Sequence, residues 1–126
     1  MNIPNELKYY TNHLWFLIED DEITVGITDF AQENMGDILF VDLPAAGDTF
    51  SAEEVFTELE SSKSTQEISM PFDFEVLSVN EELDDSPELI NEDAYKNYIL
   101  KIKADSDLDM LLDAGKYEEL CESEAE

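Results

Sequence analysis

The chain has 126 residues and a formal net charge of −27, set by 33 acidic residues against six lysines and no arginine. That length fits one domain burying about two thirds of its unfolded surface, and an apolar content of 43% argues against wholesale disorder. Such a charge repels phosphate backbones and anionic lipid headgroups; it sets aside nucleic-acid and membrane-surface roles and suits docking on basic protein surfaces.

Met1 to Glu6 has neither a signal-peptide core nor arginine-rich transit character, and no apolar stretch approaches the length of a membrane span. With the single cysteine, Cys121, unable to form an internal disulfide, the expected address is the cytoplasm. Leu14 to Ile18 reads as a first strand, with His13 packing beside Trp15. After the turn Glu19 to Glu22, Ile23, Val25 and Ile27 alternate with Thr24 and Gly26 in the period of a half-buried strand. Thr28 or Asp29 then caps a short helix over Phe30 to Asn34, which Gly36 is placed to end.

Ile38 to Leu43 is a further strand, and Pro44-Ala45-Ala46-Gly47-Asp48 a turn. Val55 to Glu60 leads into Glu60-Ser61-Ser62-Lys63-Ser64-Thr65, a small polar turn that displays a cation at its tip. Ile68 to Leu77 alternates again, and Pro71 implies an edge position or a break within the run. Asn80 to Asp93 reads as a long acidic loop and Tyr98 to Lys103 as the last strand. Ser106 with Asp109 resembles a capping box opening a helix over Leu108 to Leu112, followed by another turn or two from Lys116 to Cys121. Glu122 to Glu126 reads as a frayed acidic tail, which leaves residues 1–121 as the domain. The elements together predict a mostly-β sandwich or flattened barrel with short flanking helices.

Nothing in the chain reads as an active site. Asp105 to Asp109 begins like a calcium loop, but Met110 and Lys116 occupy the positions that need glycine and a bidentate glutamate. His13 has no second histidine or cysteine nearby to complete a transition-metal site. Gly26, Gly36, Gly47 and Gly115 are too scattered for a phosphate loop. Glu118, Glu119, Glu122 and Glu124 disfavour a thiolate at Cys121.

Several segments taken together resemble the H protein of the glycine cleavage system, a lipoyl-carrier family. They are Leu7-Lys8-Tyr9, His13-Leu14-Trp15, Val25 to Gln32, Met35 to Pro44, Glu60-Ser61-Ser62-Lys63, Val79 to Asn91, Lys101-Ile102-Lys103, Leu111 to Ala114 and Tyr117 to Leu120. They cover nearly the whole chain in the family's order. The resemblance implies a lipoyl/biotinyl-type barrel-sandwich hybrid with Lys63 at a hairpin tip. It implies that Lys63 carries lipoate as an amide and that Glu60 is the glutamate favoured by attachment enzymes. Gly47 matches a glycine that lipoyl and biotinyl domains keep sixteen residues before the modified lysine. Biotin is disfavoured as the group, because both neighbours of Lys63 are serine where biotin carriers place methionine.

The implied role is that of a non-catalytic carrier. Its partners are glycine decarboxylase, aminomethyltransferase and dihydrolipoyl dehydrogenase, besides the lipoyl-attachment enzymes. A domain that presents one lysine to several enzymes is most simply a monomer. The chain departs from the family pattern at several points. Phe74 replaces a second turn glycine, and Leu14 a common glutamate between the family's histidine and tryptophan. Tyr95 to Ile99 is a shortened stretch, and Glu67 stands where the family often has aspartate. Phe74, Leu14 and the shortened stretch Tyr95 to Ile99 motivate the alternative of a divergent H-like protein, a lipoyl relay or an unmodified interaction module.

Overall fold

The structure is a computed structural model, and it describes residues 2–20, 22–105 and 107–125. The strands are β1 (Lys8–Tyr9), β2 (Leu14–Glu19), β3 (Glu22–Ile27), β4 (Ile38–Asp42), β5 (Thr49–Phe50), β6 (Val55–Ser61), β7 (Thr65–Ser69), β8 (Phe74–Val79) and β9 (Leu100–Lys103). Among the described residues the helices are α1 (Asp29–Met35), α2 (Glu82–Asp85), α3 (Leu89–Glu92) and α4 (Ala114–Ala125). A six-stranded sheet runs β1-β2-β3-β9-β8-β5 and a three-stranded sheet runs β4-β6-β7, antiparallel throughout.

The alternating apolar positions meet between the two sheets. Leu14, Phe16, Val25, Val76, Leu100 and Ile102 come from the larger sheet, and Ile38, Val41, Leu59 and Ile68 from the smaller; all are buried in one cluster. A second cluster joins Tyr9, Trp15, Tyr117 and Cys121 under α4, where the Tyr9 and Tyr117 rings stack at 4.5 Å. This is a mostly-β, two-sheet architecture with short helices on its flanks, as the sequence predicts. Among the described residues no helix is long and apolar enough to cross a membrane.

Local signals behave as the sequence predicts where short-range chemistry decides. Thr28 caps α1 by accepting the Ala31 N–H, and Gly36 ends it with φ +78°. Pro71 marks a break: the long alternating run splits into β7 and β8.

Elsewhere tertiary contacts override the local pattern. Ser106, half of the expected capping box, lies outside the described residues, and Leu108 to Leu112 forms no helix. Instead Leu112 exchanges two backbone hydrogen bonds with Tyr9, at 2.8 and 2.7 Å, so this segment pairs with β1. Helix α4 starts after that bridge and continues through Glu122 to Ala125, in place of a frayed tail. The acidic stretch Asn80 to Asp93 is not a plain loop. It folds into α2 and α3, each turned so that one apolar side chain, Leu83 or Ile90, is fully buried.

Phe74 needs no turn. It opens β8 in register with Phe50 on β5, and its ring stacks on Phe50 at 5.3 Å and meets Phe56 edge-on at 5.4 Å. The His13 ring contacts Phe30 and Tyr117, whereas Trp15 lies against Tyr95. His13 itself has φ 68°, in the left-handed region.

Candidate functional site

Lys63 lies at the tip of the β6–β7 hairpin, exposed between exposed Ser62 and Ser64. Ser61 closes the turn. Its N–H donates to the Ser64 carbonyl at 2.8 Å, and its hydroxyl donates to the same oxygen at 3.0 Å. That hydroxyl also accepts the N–H groups of Lys63 at 3.3 Å and Ser64 at 3.2 Å. A serine side chain thus supplies the partners that a tight polar turn would otherwise seek in water.

The turn rests on the junction between α1 and β4. The Ser62 N–H donates to the Asp37 carbonyl at 2.9 Å. The Lys63 stem crosses Gly36, where a β-carbon would stand 3.4 Å from Lys63 Cε and 2.9 Å from Ser62 Oγ. Asn91 on α3 fixes this platform from beneath. Its amide donates to the Gly36 carbonyl at 2.9 Å and to Gln32 Oε1 at 3.0 Å, and its oxygen accepts the Ile38 N–H at 2.8 Å. Sequence reasoning assigned no role to Asn91; a lone polar residue inside an acidic stretch gives no local sign that it bridges two elements.

Among the described residues Lys63 makes no ion pair, although carboxylates surround the hairpin. Glu60 is exposed on β6, in register with Phe40 on one side and Thr65 on the other. Asp42, Glu58 and Glu67 share the next row across the same three strands. Like charges placed directly opposite cost stability, so this face carries a field that favours a cationic surface.

On the other side of the hairpin is a cleft of about 400 Å³. Ile27, Phe30, Ala31, Met35 and Ile68 line it with apolar surface, and Asn12, Asn34, Ser64, Gln66 and Glu67 add polar groups. His13 and Glu124 reach its rim and close it by a 3.0 Å contact between Nε2 and Oε1. Behind them the Tyr117 hydroxyl bridges His13 Nδ1 at 2.8 Å and Thr28 Oγ1 at 2.5 Å, tying the cleft wall to α4 and α1. Leu14 is fully buried in the core, and the carboxylates at the cleft are those of Glu67 and Glu124.

Cys121 is buried beside Tyr117, and desolvation raises its thiol pKa, with Glu124 and Glu118 adding to the effect. It is a packing residue rather than a nucleophile. Gly47 has φ +92° in the turn before β5, and its N–H donates to the Val76 carbonyl at 2.8 Å. A glycine suits that left-handed position, and the turn aligns β5 beside β8. The shortened stretch after α3 is held by Trp15, whose Nε1–H donates to the Ala94 carbonyl at 3.1 Å. Tyr95 also bonds there, accepting the Asp29 N–H at 3.2 Å.

Comparison with known proteins gives the geometry its context. A family model described as glycine cleavage H-protein matches residues 7–124. The glycine cleavage system H protein of Halalkalibacterium halodurans is 44% identical, over 98% of each chain. That of Nitratidesulfovibrio vulgaris is 46% identical, over 99% of each. A crystal structure of a glycine cleavage system H protein from Mycobacterium marinum superposes with a TM-score of 0.86 at 32% identity, covering 93% of this chain and 97% of that one. Sequence and overall fold agree, and the chain belongs to the glycine cleavage H-protein family.

Proposed function

We propose that Lys63 is the lysine that carries the lipoyl group and that Glu60 is read by the attachment enzyme. One observation supports this most strongly: the exposed Lys63 amine, free of ion pairs among the described residues, stands at the tip of a rigidly closed hairpin. An amine so placed is open to an enzyme's active site from outside the fold. The adjacent cleft, apolar with a few polar groups on one wall, suits a long apolar arm with a polar end.

The family's members are lipoyl carriers of the glycine cleavage system, and this chain is a carrier rather than a catalyst. Its partners are glycine decarboxylase, aminomethyltransferase, dihydrolipoyl dehydrogenase and the enzymes that attach lipoate. When attached, the lipoyl dithiolane supplies the thiol chemistry that accepts and releases the aminomethyl group. The chain's own residues do the positioning. Ser61 holds the turn, Gly36 and Asn91 hold the platform under Lys63, and the cleft offers apolar surface between Met35 and Ile68. Tethering to one lysine also raises the local concentration of the arm at each docked enzyme. We place this function in the cytoplasm, in keeping with an unpaired cysteine and the lack of a membrane-crossing helix among the described residues.

Reconstituted glycine–bicarbonate exchange tests the proposal. Fully lipoylated parent protein supports exchange, and the Lys63→Arg variant, treated identically, does not. Failure of exchange with demonstrably lipoylated parent would instead favour a lipoyl relay.

A further inference from the structure

β4 breaks strand alternation beside the hairpin. Ile38 pairs with Ser61 and Phe40 with Glu60, so Leu39 is an extra residue in the register. The bulge lets Ile38 and Val41 both face the core and turns Leu39 and Phe40 together to solvent, at 60% and 46% exposure. A bulge blunts an edge strand with any side chain, and polar residues would do so without exposing a phenylalanine. Phe40 also borders a cavity of about 430 Å³ whose other walls include Asp42, Glu81, Asp84 and Asp85.

We propose that Leu39 and Phe40 anchor the lipoyl-attachment enzyme, with a lysine or arginine of that enzyme seated in the acidic cavity beside Phe40. The proposal rests on the reading of Lys63 as the modified residue. Three observations select this partner. The enzyme that forms the amide must bring its active site onto the Lys63 amine itself, so its footprint covers the immediate neighbours of the tip. Enzymes that act at the far end of the arm are not so constrained. The Lys63 stem lies on Gly36, and the turn bonds to Asp37, so the amine is presented beside the start of β4. Finally, an apolar pair bordered by Glu60 and the cavity carboxylates complements an apolar hollow with a basic rim.

The test measures acylation of Lys63 by the host's own attachment enzyme. Substrates are the parent chain, the Leu39→Ser/Phe40→Ser variant and an Ile18→Ser control, which alters an exposed apolar residue on the other sheet. The double variant loses about tenfold or more in kcat/KM, mainly through KM, as truncated interface anchors do. The control and the unfolding midpoints stay near the parent. Asp84→Lys/Asp85→Lys independently lowers kcat/KM and flattens its dependence on salt. A double variant acylated as efficiently as the parent, or a control impaired as much as the double variant, overturns the docking proposal alone. A parent chain that is never acylated at Lys63 overturns the carrier assignment of that residue and the docking with it.

Discussion

Gly36 lies against the Lys63 stem: a β-carbon at position 36 would stand 3.4 Å from Lys63 Cε, at van der Waals contact, and 2.9 Å from Ser62 Oγ, inside it. Gly36 also adopts φ 78° and ψ −154°, a backbone region reserved almost entirely for glycine. Gly36→Ala therefore costs about 1–3 kcal/mol of stability. It also displaces Ser62 and Lys63, so acylation of the variant slows beyond what its stability loss explains. Denaturant midpoints and single-turnover acylation rates on the same samples separate the two effects.

Asn91 provides a second route to the same platform. Asn91→Ala removes three hydrogen bonds, to Gly36, Gln32 and Ile38. The expected loss is about 2 kcal/mol. Hydrogen exchange should locate the loosening at Gly36 to Ile38 and at the turn, with β2 and β3 unaffected.

The sequence reveals this site unevenly, for physical reasons. Thr28, Gly36 and Lys63 are legible because caps and polar turns are decided within a few residues. The positions of β2, β3, β4 and β6 are legible from their short apolar runs between turn signals, although burial alternates cleanly in none of them. Leu108 to Leu112 misleads because its helical pattern loses to backbone pairing with Tyr9, about a hundred residues away in sequence. Leu83 and Ile90 hide in an acidic stretch, since one buried side chain per turn leaves no period to detect. Phe74 reads as a missing turn glycine until Phe50 and Phe56 are seen to pack against it.

Glu60 is exposed, so Glu60→Lys should change stability by no more than about 0.5 kcal/mol. Acylation of Lys63 should nevertheless fall clearly, because the reversal places a cation among Phe40, Thr65 and the carboxylate row. Parent acylation should also slow steeply as ionic strength rises through the physiological range, and the variant should show a shallower slope. Equal rates for parent and variant would reduce Glu60 to a solvated strand residue.

Alkaline pH should loosen the cluster beneath α4. Burial raises the hydroxyl pKa values of Tyr9 and Tyr117 above their ordinary 10.0, pushes that of Tyr95 up to about 12, and raises the Cys121 thiol above 9.0. Each group is neutral when protonated and its folded pKa exceeds the unfolded one. The stability linked to this shift is therefore complete below about pH 9 and is lost as pH rises towards 12 and beyond. Tyr117→Phe removes one titrating group, and the decline of its melting temperature with pH should be shallower than that of the parent.

The central claim is tested most directly by intact mass and fragment mapping of protein purified from its own host under conditions of active lipoylation. The account predicts a single lipoyl adduct, located on Lys63 and absent from Lys63→Arg, with Lys8, Lys96, Lys101, Lys103 and Lys116 bare. An adduct on one of those five lysines, or consistently unmodified Lys63 while other lipoyl proteins in the same cells are loaded, would contradict it.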